Sequence, residues 1–440
     1  MQPSVPALAW GVPFLGMLAC IALFPMLAPR FWQRHMGSVA IAWIATLLVQ
    51  QAVTIGIRAA VAGVWHAVLI EYLPFVTLLL ALYAAGGGVL LRGGLRGTPI
   101  GNTAMLAVGM VLGAVMGTTG ATMVLIHPLL HANAHRRRKL HLVLFLIVLV
   151  ANASGALTPL GNPPLYIGLL HGVPFFWPAR HLVLPLLVVT GLLLAAFYLI
   201  DWKLAAGEPP LPLQRVPFRI RGWWNVGLIA LVVLTVLLQS MVQLGDVVLL
   251  GQPVAIERLA GVALFLVATL VSIGVTPRAV RQDNDFTWHP MAEVAMLFAA
   301  IFITIGPVID MLRAGMDGPL APLLRLTLDS TGQPSPIAYF WLTGLLSAFL
   351  DNAPTYLVFF ELGGIRPASL SGSNGVVLAA ISAGAVFFGG LTYIGNAPNM
   401  MLRAIAAHRG VRMPGFFGFM LLSSALLLPV LALVGVVFFG

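Results

Sequence analysis

The stretch Gly155-Ala-Leu-Thr-Pro-Leu-Gly-Asn-Pro-Pro-Leu-Tyr166 decides the fold, because it returns 234 residues later as Gly389-Gly-Leu-Thr-Tyr-Ile-Gly-Asn-Ala-Pro-Asn-Met400. Six of the twelve positions agree, and both copies interrupt long apolar runs. Pro159, Pro163, Pro164 and Pro398 stop a helix and free carbonyls upstream. Gly161 and Gly395 let the chain turn without a side-chain clash. Two broken helices at corresponding places in two halves mark the binding site of a secondary transporter.

The composition fits that reading. Of 440 residues, 60% are hydrophobic and 8% charged, too few polar groups for a soluble surface. Apolar segments fall at about 5–29, 37–60, 68–91, 103–131, 140–171 and 182–201, then at about 225–248, 257–276, 290–313, 334–361, 374–406 and 415–439. The first segment lacks a basic flank before it and reads as a mature helix rather than a cleaved leader. A lone cysteine, Cys20, allows no internal disulfide. The net charge of +10 comes from residues at segment ends, which suits cytoplasmic loops and argues against a nucleic-acid partner.

Two segments carry small, polar breaks, Gly117-Thr-Thr-Gly-Ala-Thr122 and Leu350-Asp-Asn-Ala-Pro-Thr355, offset by 233 residues. Basic residues flank the first on both sides, and arms of about 14 residues reach only about 21 Å. Both segments are therefore expected to be re-entrant hairpins. With five true crossings in each half, 17 Lys and Arg fall on one side of the membrane and 6 on the other. An odd number of crossings inverts the second half. The expected fold is an all-α polytopic membrane protein of two inverted-topology repeats, with about ten transmembrane helices, two re-entrant hairpins and two broken helices. The first repeat spans 1–202, a cytoplasmic linker 203–224, and the second repeat 225–440, with both termini periplasmic in a bacterial inner membrane.

Inverted symmetry brings two hairpin tips and two broken-helix loops together near the midplane. Unwound backbone is tolerated there only where it is buried in protein or faces a wet cavity. The candidate site residues are Thr118, Thr119 and Thr122 on the first tip, and Asp351, Asn352 and Thr355 on the second. Thr158, Gly161 and Asn162 come from the first loop, and Thr392, Gly395, Asn396 and Asn399 from the second. Asp351 stands out, since a charge at membrane depth is costly and marks ion or proton pathways. Burial favours the protonated carboxyl and a bound cation favours the ionised one, so two occupants compete for one group. The bland alternative is a helix cap. Asp310 and Glu361 stand in reserve, while Glu293 and Glu71 read as structural. His127, His131, His135 and His141 read as a solvated flank. The Asn162-Pro-Pro-Leu-Tyr166 run resembles an amino-methyltransferase signature, but no Gly-rich cofactor loop accompanies it and no cofactor is expected.

At these motifs the chain resembles the ion transporter superfamily, which includes NhaD-type sodium/proton antiporters, arsenite pumps, citrate–metal symporters and divalent-anion/sodium symporters. Ser347-Ala-Phe-Leu-Asp-Asn-Ala-Pro354 is similar to the Ser-Ala-x-x-Asp-Asn-x-Pro signature of the antiporter and arsenite branches. Gly161-Asn-Pro-Pro164 and Gly395-Asn-Ala-Pro-Asn399 are similar to the superfamily's broken-helix loops. The divalent-anion branch carries Ser-Asn-Thr at both tips, and this chain does not. In overall look the chain resembles bacterial proteins described both as citrate transporters and as sodium:proton antiporters. The resemblance implies that Asp351 and Asn352 are ion-site residues. The leading expectation is sodium (or lithium) exchanged for protons by alternating access, with Asp351, Asn162 and Asn396 holding the transported sodium. The alternative is proton- or sodium-coupled transport of citrate or another organic anion. Further expectations are a membrane-lipid setting, a possible homodimer through the first three helices of each half, and no enzymatic activity. Two other classes rank below transport: an ion channel, which would need no proton coupling and show no saturable exchange, and an intramembrane hydrolase, for which Ser154 lacks an obvious His partner.

Overall fold

A computed structural model describes residues 8–93, 96–209, 219–366, 370 and 372–440. The start of the first apolar segment and residues 210–218 of the linker lie outside the described residues. The protein is an all-α polytopic membrane protein. Among the described residues ten helices are long and apolar enough to cross a bilayer.

The first half runs α1 (Val12–Leu27), α2 (Pro29–Thr54), α3 (Ile57–His66) and α4 (Leu73–Gly86), the last two joined by a π-helical turn at Ala67–Tyr72. After strand β1 (Leu90–Arg92) come α5 (Pro99–Met116), α6 (Thr118–Ala132), α7 (Leu140–Phe145), α8 (Pro163–Leu170) and α9 (Trp177–Ala205). The second half runs β2 (Arg219–Arg221), α10 (Trp224–Met241), β3 (Asp246–Leu249), β4 (Gln252–Ala255), α11 (Ile256–Val275), α12 (Arg278–Asp283) and α13 (His289–Arg313). It ends with α14 (Ala321–Arg325), α15 (Pro336–Phe349), α16 (Asn352–Leu362), α17 (Ser373–Phe387), α18 (Ala397–His408) and α19 (Phe416–Phe439).

Both expected hairpins fold back; short arms fit the second, whose α15 and α16 have 14 and 11 residues, but not the first. The arm α5 has 18 residues and is itself apolar enough to be counted among the ten long helices. At about 1.5 Å per residue it reaches about 27 Å, close to a full crossing. What returns the chain is the hairpin's base. Asn102 and Asn133 exchange side-chain hydrogen bonds of 3.0 and 2.7 Å, and Arg136 donates to the Gly97 carbonyl at 2.5 Å. In the second hairpin the Tyr339 hydroxyl donates to the Leu362 carbonyl at 3.5 Å, bringing the start of α15 to the end of α16.

The two hairpins reach inward from opposite ends of one broken helix. His141, at the start of α7, lies 2.9 Å from Asp201, which also accepts from Asn102 at the first hairpin's base. His171, just past α8, lies 4.0 Å from Glu361 at the second hairpin's base. Loop contacts keep the same two-sided division as the basic residues. On one side β1 pairs with β2, Arg137 and Arg138 donate to Glu208, and Arg409 pairs with Asp285. On the other, His66 meets Gln252, Arg258 donates to the Leu170 carbonyl, and Arg313 holds Glu361.

Several details differ from the sequence reading. The helix α2 starts at Pro29, so Arg30 and Arg34 lie within it rather than in a loop. The linker contributes β2, and α9 extends through Lys203 into it. His127 and His141 are buried rather than solvated, because each finds a partner below the surface: the Asn284 carbonyl at 2.9 Å and Asp201.

Candidate functional site

Each broken helix gives way over a short, tight stretch. In the first, α7 passes through a π-helical segment at Leu146–Val150 and a 3-10 turn at Ala153–Ala156 before Asn162 opens α8. In the second, α17 ends in a 3-10 turn at Phe388–Leu391 and Asn396 opens α18. Glycine is needed here for room. A Cβ on Gly161 would stand 2.7 Å from Gly155 Cα, and one on Gly395 would stand 2.7 Å from the Gly389 carbonyl oxygen. A side chain at either position would collide with backbone that cannot swing away.

Two threonines lock these loops to the hairpins in the same way. Thr158 donates to the Ala114 carbonyl and accepts from the Gly161 amide at 3.1 Å. Thr392 donates to the Ala348 carbonyl at 2.5 Å and accepts from the Gly395 amide at 3.1 Å. In both cases the carbonyl lies 44 residues upstream. Both hydroxyls are thus taken up by the frame. Thr122 and Thr355 turn back on their own helices, bonding the Thr118 carbonyl at 2.8 Å and the Asp351 carbonyl at 3.0 Å.

The tips differ. Gly117 makes the first, with φ at +78°, and the Thr118 amide donates to the Gly161 carbonyl at 3.0 Å. The second turns at Asp351, which caps α16 by accepting from the Ala353 amide at 3.4 Å, a long bond that leaves carboxylate capacity free. Asn352 crosses to the first loop, donating to Asn162 Oδ1 at 2.9 Å. The remaining Asn352 Oδ1 and Asn162 Nδ2 atoms are buried without protein partners.

The second loop is tied to the first broken helix through a residue the sequence reading passed over. Asn152, fully buried, donates to Asn399 Oδ1 at 2.9 Å. Asn396 in turn donates to the Ala151 carbonyl at 2.8 Å, and Asn399 to the Gly389 and Thr392 carbonyls at 2.8 and 2.9 Å. The signal for Asn152 was a polar residue inside an apolar run. Its counterpart at the 234-residue offset is Val386, so comparing the repeats conceals it.

All four loops meet at a small inner cavity of about 70 Å³, lined by Thr118, Thr119, Gly161, Asp351 and Asn396 among apolar walls from α4, α13 and α18. Among the described residues no Lys or Arg lines it. Above it opens a vestibule of about 850 Å³, also reached by Asp351 and Asn396. Its mouth carries Gln33, Gln282, Asp285, Arg403 and His408, on the side where most basic residues gather. Asp351 is half-buried and is the carboxylate shared by both cavities. The reserve acids stand elsewhere. Glu361 is held by both Arg313 nitrogens at 2.9 Å, Asp310 is exposed, and Glu71 lies 3.6 Å from His171.

Comparison with known proteins agrees in broad terms with this architecture. The family model described as "putative citrate transport" matches residues 3–439, and the chain belongs to that family. No curated protein matches it.

Proposed function

We propose that this member of a transporter family is a secondary active transporter that exchanges sodium or lithium for protons at Asp351. The observation that carries this reading is the placement of a single carboxylate where four broken backbone elements meet, within a cavity free of basic side chains among the described residues. A cavity of that size has room for a few waters or a partly dehydrated ion. A cation entering through the vestibule meets Asp351, with the uncapped oxygen of Asn352 and the side chain of Asn396 nearby. The carboxylate then binds either the cation or a proton, and the empty, charged form is the one the protein must not carry across.

The reading takes the halves, 1–202 and 225–440, as inverted repeats, supported by hairpins that enter from opposite ends of the broken helix. It places the vestibule on the cytoplasmic side of an inner membrane and both termini outside, following the distribution of Lys and Arg. The first three helices of each half serve as scaffold and could pair two copies.

A second reading has its own support. The family description names citrate, and the vestibule, large enough for an organic anion, carries the guanidinium of Arg403, stacked over Tyr393 at 4.7 Å. The two readings separate in liposomes holding a pH gradient and a pH-sensitive dye. Sodium or lithium collapsing the gradient, with citrate inert, is the expected result. Gradient-dependent citrate accumulation without a cation response would replace antiport with anion transport.

A further inference from the structure

Of the three carboxyls that line the vestibule, Asp285, Glu293 and Asp351, Glu293 has no part in the exchange described above. Glu293 lies one turn into α13, half-buried, on the wall of the vestibule that Asp351 also lines. Pro290, Val294 and Phe298 of the same helix line both the vestibule and the inner cavity, so Glu293 sits at the level where the two meet. At the mouth, Asp285 is engaged by Arg409 at 2.9 Å. Glu293 makes no hydrogen bond or ion pair among the described residues. The titratable and charged groups that share the vestibule with it are Asp285, His289, Asp351, Arg403 and His408.

The favourable charge beside Glu293 is His289, one turn before it on α13, and a half-buried carboxylate so weakly paired in a largely apolar wall costs free energy. Position gives it a use. Leu297, Met401 and Phe298 give the vestibule an apolar wall around Asp351, and Glu293 is the carboxyl on that wall.

We infer that Glu293 is a proton-relay residue for the exchange at Asp351, accepting the proton displaced there and releasing it toward the mouth. The step balances simply. The Asp351 O–H proton passes through vestibule solvent to a Glu293 carboxylate oxygen, the cation neutralises the Asp351 carboxylate, and Glu293 returns the proton to bulk water. Glu293 does not hold the cation. The inference rests on the Asp351 reading and adds to it a residue on a helix outside the four loops.

The test uses the full chain in liposomes with two readouts: sodium-driven proton flux by pH dye, and sodium self-exchange by isotope at equal pH on both sides. Self-exchange needs no net proton movement. Glu293→Gln should lower proton flux about tenfold or more and leave self-exchange within about twofold, while Glu293→Asp should restore at least half of the flux. Unchanged proton flux in Glu293→Gln would overturn the relay. So would parallel loss of both readouts, which would make Glu293 part of the cation site or the fold. Asp351→Asn separates this from the parent reading: it should lose both readouts, and if it keeps them the Asp351 reading itself fails, whatever Glu293→Gln does.

Discussion

The two halves build the same frame and put different chemistry on it. Thr158 and Thr392 bridge loop to hairpin with the same partners at the same spacing, and the pairs Gly155–Gly161 and Gly389–Gly395 make equally close backbone approaches. The tips, by contrast, share only the hydroxyls of Thr122 and Thr355, each turned back on its own helix. The position of Thr118 in the first half is that of Asp351 in the second, and Asn152 has only Val386 as its counterpart. The frame needs duplication because two broken helices must both be held open at membrane depth. Under the proposed exchange one titrating carboxylate suffices at the tips, and a second beside it would add to the desolvation cost.

That contrast can be broken experimentally. Frame changes should act alike in the two halves. Gly161→Ala and Gly395→Ala force a Cβ into backbone at 2.7 Å. Each should cost about 3 kcal/mol or more and sharply lower the yield of monodisperse protein in detergent, read by size-exclusion chromatography and thermal melting. Thr158→Val and Thr392→Val keep the volume and remove the hydroxyl, leaving a loop amide and a hairpin carbonyl without partners. Each should destabilise by about 1–3 kcal/mol, and the two by similar amounts; a large inequality would break the equivalence of the halves.

Changes at the tips should act unequally. The bond from Asn352 to Asn162 has no counterpart between Thr119 and Asn396 among the described residues, and a double-mutant cycle of Asn352→Ala with Asn162→Ala should show a coupling of about 1 kcal/mol in thermal stability. Smallest of all is Thr119→Ala. Its hydroxyl lines the inner cavity without a hydrogen-bond partner among the described residues, and its loss should change proton flux by less than about threefold. A loss comparable to that of Asp351→Asn would instead make the first tip an equal partner in binding.

What the sequence made legible follows from the same division. Breaks in apolar runs are visible because Gly, Pro and Asn punctuate them, and repetition made the pair of loops and the pair of tips recognisable. Roles within the frame were not visible. Thr158 and Thr392 read as candidate site residues, yet folding commits their hydroxyls to carbonyls 44 residues away. Asn152 escaped because its partners, Asn396 and Asn399, lie in the other half, at a separation no local pattern encodes. The walls of the cavities come from α4, α13 and α18, whose Tyr83, Phe298 and Met401 look in sequence like any apolar face. The burial of His127 and His141 likewise depends on acceptors, Asn284 and Asp201, that are far away along the chain.

The central claim is that Asp351 alone carries the exchange chemistry of the four-loop site. Its most direct test is sodium-driven proton flux through Asp351→Asn in liposomes, beside the unaltered protein and with folding confirmed by thermal melting. The account predicts a folded protein whose proton flux falls to the level of empty liposomes. A folded Asp351→Asn protein that still exchanges sodium for protons at a rate near that of the unaltered chain would contradict it.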